Sequence, residues 1–465
     1  MTNSASISAS AGYRVQNPVD NSVVETFDNV EPSGVQKIIE NAANAYTEWS
    51  ALSLQERGDK VGKLADLLEE NKDALAEDSS LEMGKPLPEM IEEIEFSAEI
   101  LRYYVDNAAT FTEDQEIETS GGKAVIRRLP IGPLLGIMPW NFPYYQVARF
   151  IGPNLMLGNT IILKHAEICP RSALAIEKLA AEAGIPQGVY QNIFATHDQI
   201  GEIIADDRIQ GVSLTGSERA GSAVAEQAGR HLKKAVLELG GTDPYVILDN
   251  DDVAAAAKQA WTVRMENTGQ ACNSNKRMIV MDDIYDEFVA ELVKIAGEMR
   301  PTTPKEFAEG TYCPLSSRGA AEQLDKQLKA AVEAGAKLHV GGELSDEGAY
   351  ISPAVITDIP RGSESYYQEF FGPVAEIYRV SSDEEALELA NDSQYGLGGA
   401  VFSTDEDRAT AIAKKLQVGM ANVNTPAGEG AELPFGGVKR SGYGRELGPL
   451  GMDEFVNKQM YYVAD

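Results

Sequence analysis

An α/β fold with two parallel-sheet domains and a separate β-pairing element is predicted by three observations. Strand-like apolar runs alternate with helical stretches over residues 134–239, and a second such series runs from Tyr245 to about Asn424. Residues 116–129 alternate around Gly121-Gly122 as a β-hairpin would, polar on both faces and therefore suited to pairing outside its own domain. The length, 465 residues, exceeds a single core and suggests two to four domains at roughly 100–200 residues each.

In chain order, 34–108 is helical, with apolar residues at helical spacing over 61–68 and 91–105 on either side of a Gly84-Lys85-Pro86 break. After the hairpin, strands are expected at 134–139, 160–164, 189–195, 211–214 and 235–239. Helices lie between them, through Arg149, through Leu179, near Ile203 and through Lys233. The second series begins at Tyr245 and has strands at 278–281, 336–340, 375–380, 399–402 and 419–423. Residues 459–463 alternate again, as an edge strand seeking a partner. There is no internal repeat, and low complexity is confined to the Ser/Ala tract 1–12.

Acidic residues number 72 against 40 basic ones, a net charge of −32 at pH 7. Such a surface repels phosphate backbones and anionic headgroups, so nucleic-acid and membrane partners are disfavoured, and a salt-adapted (halophilic) source is expected. The most apolar run, 131–140, is broken by glycine and proline and falls short of the ~20 residues of a membrane span. Residues 1–12 lack the basic and apolar parts of a signal peptide. Cys169, Cys272 and Cys313 are widely spaced with no CxxC, which argues for a reducing compartment, the cytoplasm.

Cys272 follows the polar, small-residue stretch Asn267-Thr268-Gly269-Gln270-Ala271, where a thiol is accessible, whereas Cys169 and Cys313 each precede a proline and read as packing or loop residues. Cys272 is the candidate nucleophile. Glu238 interrupts the apolar run 235–239 ahead of Gly240-Gly241. Buried there, its pKa would rise towards that of a general base; on an edge strand it would face solvent, and periodicity alone does not separate the two. The glycines favour the first, because they let a ligand approach the backbone.

Pro139-Trp140-Asn141-Phe142-Pro143 ends the first strand of the series, where the rigid Asn141 amide suits an oxyanion, although an isolated asparagine there is equally a turn residue. Thr215-Gly216-Ser217-Glu218-Arg219-Ala220-Gly221 follows a strand and opens a helix, an arrangement that binds phosphate or merely caps the helix. It is not a P-loop, since Ser222 stands where a lysine is required, and it lacks GxGxxG. Lys164 and Glu167 end the next strand, where they would meet a ribose or form a plain surface ion pair. The four histidines show no metal-ligand spacing, and HExxH and GxSxG are absent, so metal and serine-hydrolase chemistry have no support.

Together with Glu369-Phe370-Phe371-Gly372-Pro373 and Pro434-Phe435-Gly436-Gly437, these motifs resemble the aldehyde dehydrogenase superfamily in identity, order and spacing over nearly the whole chain. Lys164-His165-Ala166 and residues 140–149 are most similar to bacterial and archaeal succinate-semialdehyde dehydrogenases. The resemblance implies an NAD(P)-binding domain (1–114 and 134–240), a catalytic domain (241–440) and an oligomerisation element (115–133 and 441–465) of a homodimer or homotetramer. It implies Gly216 and Ser217 near the pyrophosphate, Lys164 and Glu167 at the adenosine ribose, Glu369 at the nicotinamide ribose, and Trp140 and Phe371 elsewhere along the cofactor. NAD is expected over NADP, because Glu167 would bond a ribose hydroxyl and repel a 2′-phosphate.

The implied chemistry is addition of the Cys272 thiolate to an aldehyde, with the alkoxide held by Asn141 and the Cys272 backbone N–H. Hydride then passes to the nicotinamide, and water activated by Glu238 hydrolyses the thioester. The presence of Glu238 favours hydrolysis over transfer to coenzyme A or phosphate. Arg149, eight residues beyond Asn141 on a helix expected to begin near Phe142, would meet the carboxylate of succinate semialdehyde, unless it snorkels to the surface. A broad aliphatic aldehyde dehydrogenase and a catalytically idle protein on the same fold are the alternatives. Three departures bear on this. Glu266 stands where some such enzymes have an arginine and would repel an anionic substrate or neutralise Arg149. Tyr312-Cys313-Pro314-Leu315 replaces the usual Gly-Pro-Leu, and the loop 426–433 is unusually acidic.

Overall fold

A computed structural model describes residues 12–428 and 430–465, so the reading of the Ser/Ala tract lies almost wholly outside the described residues. Four helices come first after a short hairpin: Pro32–Ala51, Leu54–Glu70, Lys72–Met83 and Leu87–Phe111. Ser53 and Glu56 exchange side-chain and backbone bonds to start the second. Gly84, at φ 81°, ends the third in the left-handed region that only glycine adopts freely, and Pro86 then leads into the fourth. The expected Gly-Lys-Pro break is therefore a real corner. Trp49, Leu101, Tyr104, Phe150 and Met156 are buried where these helices meet Tyr145–Leu157, each apolar side chain contributing about 1.5–3 kcal/mol by burial.

The first sheet has six strands in the order Gly442–Tyr443, Lys234–Glu238, Gly211–Thr215, Pro133–Ile137, Thr160–Lys164 and Tyr190–Asn192. All are parallel except the first, which pairs antiparallel with Lys234–Glu238. From Pro133–Ile137 the chain builds outward to one side, then returns to the other with Gly211–Thr215. Between those two strands the order reverses, and the strand ends there open a crevice. Thr160–Lys164 and Gly211–Thr215 are buried along their whole length, as helix-covered strands must be.

The second sheet has seven strands, in the order Lys337–Val340, Ala354–Thr357, Val374–Val380, Arg277–Met281, Pro244–Ile247, Gly398–Phe402 and Met420–Val423, with only the first antiparallel. The third is a three-stranded antiparallel ribbon in which the hairpin Gln115–Thr119 and Gly122–Pro130 pairs with Val456–Ala464. Both excursions of the sequence thus meet each other. The ribbon leaves Ile117, Met460, Tyr461, Tyr462 and Val463 exposed. Among the described residues no helix is long and apolar enough to cross a membrane.

Three local expectations change. The strand expected over 189–195 shrinks to Tyr190–Asn192. The helix expected through Lys233 stops at Arg230, and the next strand already begins at Lys234. The Arg149 helix begins at Tyr145, not near Phe142: Phe142 O accepts an isolated bond from Gln146 N–H, and the N-cap is Tyr144, whose O accepts from Ala148 N–H (2.8 Å), so Arg149 is about one turn in rather than two. Two elements escaped the pattern altogether: the hairpin Tyr13–Gln16 and Val23–Phe27, whose second strand is largely exposed, and the four-residue strand Ala354–Thr357, too short to show a period.

Candidate active site

Cys272 sits just beyond a strained turn. After the helix Val253–Met265, the chain makes a tight turn, Glu266–Gly269, in which Asn267 (φ 48°), Thr268 (φ 53°) and Gly269 (φ 76°) are all left-handed. The two non-glycine residues cost on the order of 1–3 kcal/mol each, so the surroundings must enforce them. Buried Arg264 does so: its guanidinium donates to Gly269 O (3.1 Å), Ser274 Oγ (2.9 Å), Phe370 O (2.7 Å), Gly372 O (2.6 Å) and Val374 O (2.7 Å). A side chain at 269 would begin 2.3 Å from Gly372 O, which is why glycine is required there. Arg264 thereby fastens the cysteine loop to the segment carrying Glu369 and Phe371.

Asn141 reaches the same loop. Its Nδ2 donates to Gln270 O (3.0 Å), while Asn267 Nδ2 donates to Asn141 O (2.9 Å). Gln270 is fixed in turn, donating to Asn267 O (3.0 Å) and accepting from Ser316 N–H (2.9 Å). The preceding loop is held by His165, whose Nε2 donates to Pro143 O (3.0 Å) while its Nδ1 accepts from Ala166 N–H (2.8 Å). That pattern requires the neutral imidazole, and burial pushes its pKa down to about 4.

Glu238 ends its strand buried, not on a solvent-facing edge, and neither carboxylate oxygen has a hydrogen-bond partner among the described residues. Burial, reinforced by nearby Glu446, holds its carboxyl well above the usual range against the pull of Arg149 and Arg445. The neighbouring glycines serve a different end from the one expected. A Cβ at Gly240 would lie 2.4 Å from a Glu369 oxygen and one at Gly241 2.6 Å from Cys272 O, so the bare backbone admits other parts of the site rather than a ligand. Gly436, at φ 148°, does the same for Glu238, whose Oε1 lies 2.6 Å from the position of its missing Cβ.

Arg149 is buried rather than snorkelling. Its guanidinium lies 4.6 Å from the Tyr145 ring centroid and 4.3 Å from that of Phe435. One Nη forms an ion pair with Glu446 (2.8 Å), the other donates to Tyr145 OH (3.3 Å), and Nε has no partner among the described residues. The carboxylate set against Arg149 is therefore Glu446, where the sequence reading had put Glu266. Arg149 acts electrostatically on both Glu238 and Cys272. Burial pushes the Cys272 thiol up to about 12, with Arg149 and Lys276 drawing it back down.

Lys276 was missed. Fully buried, its ammonium donates to Ala271 O (2.6 Å) and Cys272 O (2.8 Å) and pairs with Glu369 (2.9 Å). The legible signal was the Lys276-Arg277 pair opening an apolar strand, two charges where burial is otherwise complete. Glu369 also accepts from Gly241 N–H (3.2 Å), and Trp140 meets Phe371 edge-on at 5.8 Å between centroids. Glu446 was missed too, because nothing in Arg445-Glu446-Leu447 hints that the carboxylate returns to the first sheet.

The remaining residues line the crevice at the strand-order reversal. Gly216 N–H donates to Glu238 O (2.9 Å), and Ser217 caps the helix Glu218–Arg230 by accepting from Ala220 N–H (3.3 Å). Beside them Thr215 Oγ1 is buried without a partner among the described residues, and a Cβ at Gly216 would meet only Leu214 Cδ2, at 3.8 Å. Two strands away, beyond Pro133–Ile137, Lys164 pairs with Glu167 (2.5 Å), and His197 Nε2 stands 3.9 Å from the same carboxylate. Burial raises the Glu167 carboxyl, but the Lys164 charge outweighs it and leaves the group below its ordinary value, an anion at neutral pH. A cavity of about 300 Å³ beside the cysteine loop is lined by Asp243, Glu266, Asn273, Thr425, Pro426 and Ala427. Among the described residues no three His, Cys, Asp or Glu side chains are grouped to hold a metal ion.

The Cys272 thiol, the Asn141 amide, the Glu238 carboxylate and the Arg149 guanidinium are tied together by these contacts and charges, a set whose chemistry suits addition to a carbonyl followed by hydrolysis. The chain is similar to known proteins over most of its length. The profile of the "Aldehyde dehydrogenase family" matches residues 6–461. The chain is 47% identical to a succinate-semialdehyde dehydrogenase (NADP+) of Deinococcus radiodurans, over 96% of this chain and 94% of that one. It is 37% identical to a probable succinate-semialdehyde dehydrogenase (NADP+) of a Synechocystis species, over 96% and 99%. Among solved structures, succinic semialdehyde dehydrogenase from Streptococcus pyogenes in complex with NADP+ superposes with a TM-score of 0.94 at 43% identity, covering 97% of this chain and all of that one.

Proposed function

The chain belongs to the aldehyde dehydrogenase family, and from that premise we propose that it oxidises succinate semialdehyde to succinate with Cys272 as nucleophile, Asn141 as oxyanion donor and Glu238 as base. The observation that carries the substrate is buried Arg149, whose charge acts on both Cys272 and Glu238 and whose Nε–H has no partner among the described residues. A guanidinium there selects a carboxylate at the far end of a short aldehyde. The relatives named above for succinate semialdehyde support the same choice.

The crevice fits a nicotinamide dinucleotide: the Thr215 hydroxyl, buried without a partner among the described residues, and the side-chain-free Gly216 lie where a pyrophosphate approaches a helix N-terminus. Gly216 and Ser217 would hold that group, Lys164 and Glu167 the adenosine ribose, Glu369 the nicotinamide ribose, and Trp140 and Phe371 the rest. When bound, the dinucleotide supplies the hydride acceptor. The anionic Glu167 favours NAD, in contrast to the NADP+ of the relatives.

On this reading the Cys272 thiolate, favoured by Arg149 and Lys276, bonds to the aldehyde carbon. The new alkoxide takes the Asn141 Nδ2–H that otherwise goes to Gln270 O. Glu238, held ready to accept a proton, removes one from the water that cleaves the thioester. Residues 1–114 and 134–240 form the cofactor domain and 241–440 the catalytic domain. The exposed apolar ribbon of 115–133 and the chain end supports assembly with further copies, as a dimer or tetramer. Three free cysteines are consistent with action in the cytoplasm.

A specific observation favours a second reading, a general aliphatic aldehyde dehydrogenase: Glu446 already balances the Arg149 charge. Measuring kcat/KM for succinate semialdehyde, butanal and longer aldehydes with both cofactors decides between them. A marked preference for the semialdehyde is expected, and a flat profile overturns the substrate assignment.

A further inference from the structure

We propose that Glu89 and Glu93, four residues apart on one face of the helix Leu87–Phe111, are positioning residues that set the spacing between the Asn141 amide and Cys272; this rests on the roles given to those two groups above. Glu89 Oε2 accepts the backbone N–H of Asn267 (2.7 Å), the first left-handed residue of the cysteine loop. Glu93 Oε1 accepts the N–H groups of Tyr144 (2.8 Å) and Tyr145 (3.1 Å), immediately after the Asn141 loop. Asn267 then closes the circuit by donating to Asn141 O (2.9 Å). Two carboxylates on one rigid helix, about 6 Å apart along its axis at 1.5 Å per residue, thus grip the two loops that must face each other across the substrate.

Lys85, at the Gly84-Lys85-Pro86 corner, completes the device. Its ammonium pairs with Glu93 Oε2 (2.5 Å) and lies 3.5 Å from the Phe142 ring centroid, so it holds the Asn141 loop from beneath. Lys85 and Glu93 are both almost wholly buried, with side chains 1% and 2% exposed. An apolar pair would fill that space at lower desolvation cost. What the charges provide is direction: Glu93 satisfies two orphan donors of the helix N-terminus that carries Arg149, which packing alone cannot do. Burial pushes the Glu89 carboxyl up to about 7, against the pull of the Asn267 N–H. Its function is therefore acceptance by one oxygen, which an amide oxygen can reproduce.

The test compares Glu89→Ala with Glu89→Gln in the full-length enzyme, by stopped-flow measurement of the reduced-cofactor burst and by the rate at which iodoacetamide labels Cys272 without substrate. Displacement of the loop by about 1 Å should slow the burst about 10- to 100-fold in Glu89→Ala. The cofactor KM stays constant, the labelling rate changes, and Glu89→Gln recovers most of both. If Glu89→Ala does not fold, Glu89→Leu fills the space without an acceptor and takes its place. Wild-type burst and labelling in the non-accepting variant, or a Gln variant as impaired as it, overturns the proposal. Labelling separates the two ideas: a wild type inactive on every aldehyde refutes the functional reading, while the labelling contrast still judges the brace.

Discussion

Arg149 and Glu446 form a buried ion pair, 2.8 Å between Nη and Oε2, in which the arginine comes from the helix after the Asn141 loop and the glutamate from the far end of the chain. Its two consequences pull in opposite directions. It fixes the guanidinium inside the site, and it offsets the charge that would attract an anionic substrate. Arg149→Ala should raise KM for succinate semialdehyde far more than for butanal, by about 2–5 kcal/mol if the substrate carboxylate is received in a buried ion pair. Equal losses on both aldehydes would assign Arg149 to holding Glu446 alone.

Glu238→Gln should stall thioester hydrolysis, giving one burst of reduced cofactor followed by slow turnover. The pH dependence follows from the direction of its shift. In the proposed role the ionised form acts as the base, and burial together with Glu446 places its titration above the ordinary carboxylate range. Steady-state turnover should therefore rise with pH through a limb well above pH 4.5 that is absent in the Gln variant. A limb unchanged by the substitution would move the base elsewhere.

Lys276→Met should have two effects. Removing one partner from a buried pair leaves Glu369 uncompensated, at a cost of about 3–5 kcal/mol in stability. The thiol also loses a cation that draws its pKa down, so the pH midpoint of Cys272 alkylation should shift upward. Calorimetry and an iodoacetamide pH–rate profile check the pair; a downward shift would contradict the electrostatic role.

Glu167→Ser should improve kcat/KM with NADP while weakening use of NAD, since it removes an anion from beside Lys164 and His197, both then free for a phosphate. Preference of the wild type for NADP, or no gain in the variant, would show that the ion pair with Lys164 has already cancelled the repulsion.

A net charge of −32 should make stability depend on salt. Screening shortens repulsion from about 10 Å at 0.1 M to about 3 Å at 1 M, so the melting temperature should rise between these concentrations. An unchanged midpoint would mark the acidity as a solubility feature only.

The parallel strands were legible because burial on both faces leaves unbroken apolar runs, and Thr160–Lys164 was read to the residue. Glu238 and Asn141 stood out as polar groups among apolar neighbours, and Cys272 as a thiol following a polar, small-residue stretch. Lys276, Glu446 and Glu89 did not, since their partners lie far away in sequence and charged residues abound in a chain this acidic. The local pattern around Gly240-Gly241 showed that something comes close to the backbone; only the fold shows that it is Glu369 and Cys272 O.

The strand Gly442–Tyr443 closes the open edge of the sheet beside Lys234–Glu238, and Leu239 N–H donates to Ser441 O. During synthesis, more than 200 residues must therefore emerge after Glu238 before its strand acquires its last neighbour and Arg149 its counter-ion. A nascent or truncated chain ending before Gly442 holds Cys272 and Lys276 but leaves the Glu238 strand open at its edge. The carboxylate proposed for thioester hydrolysis thus gains its final setting only in a chain that has been made almost to its end.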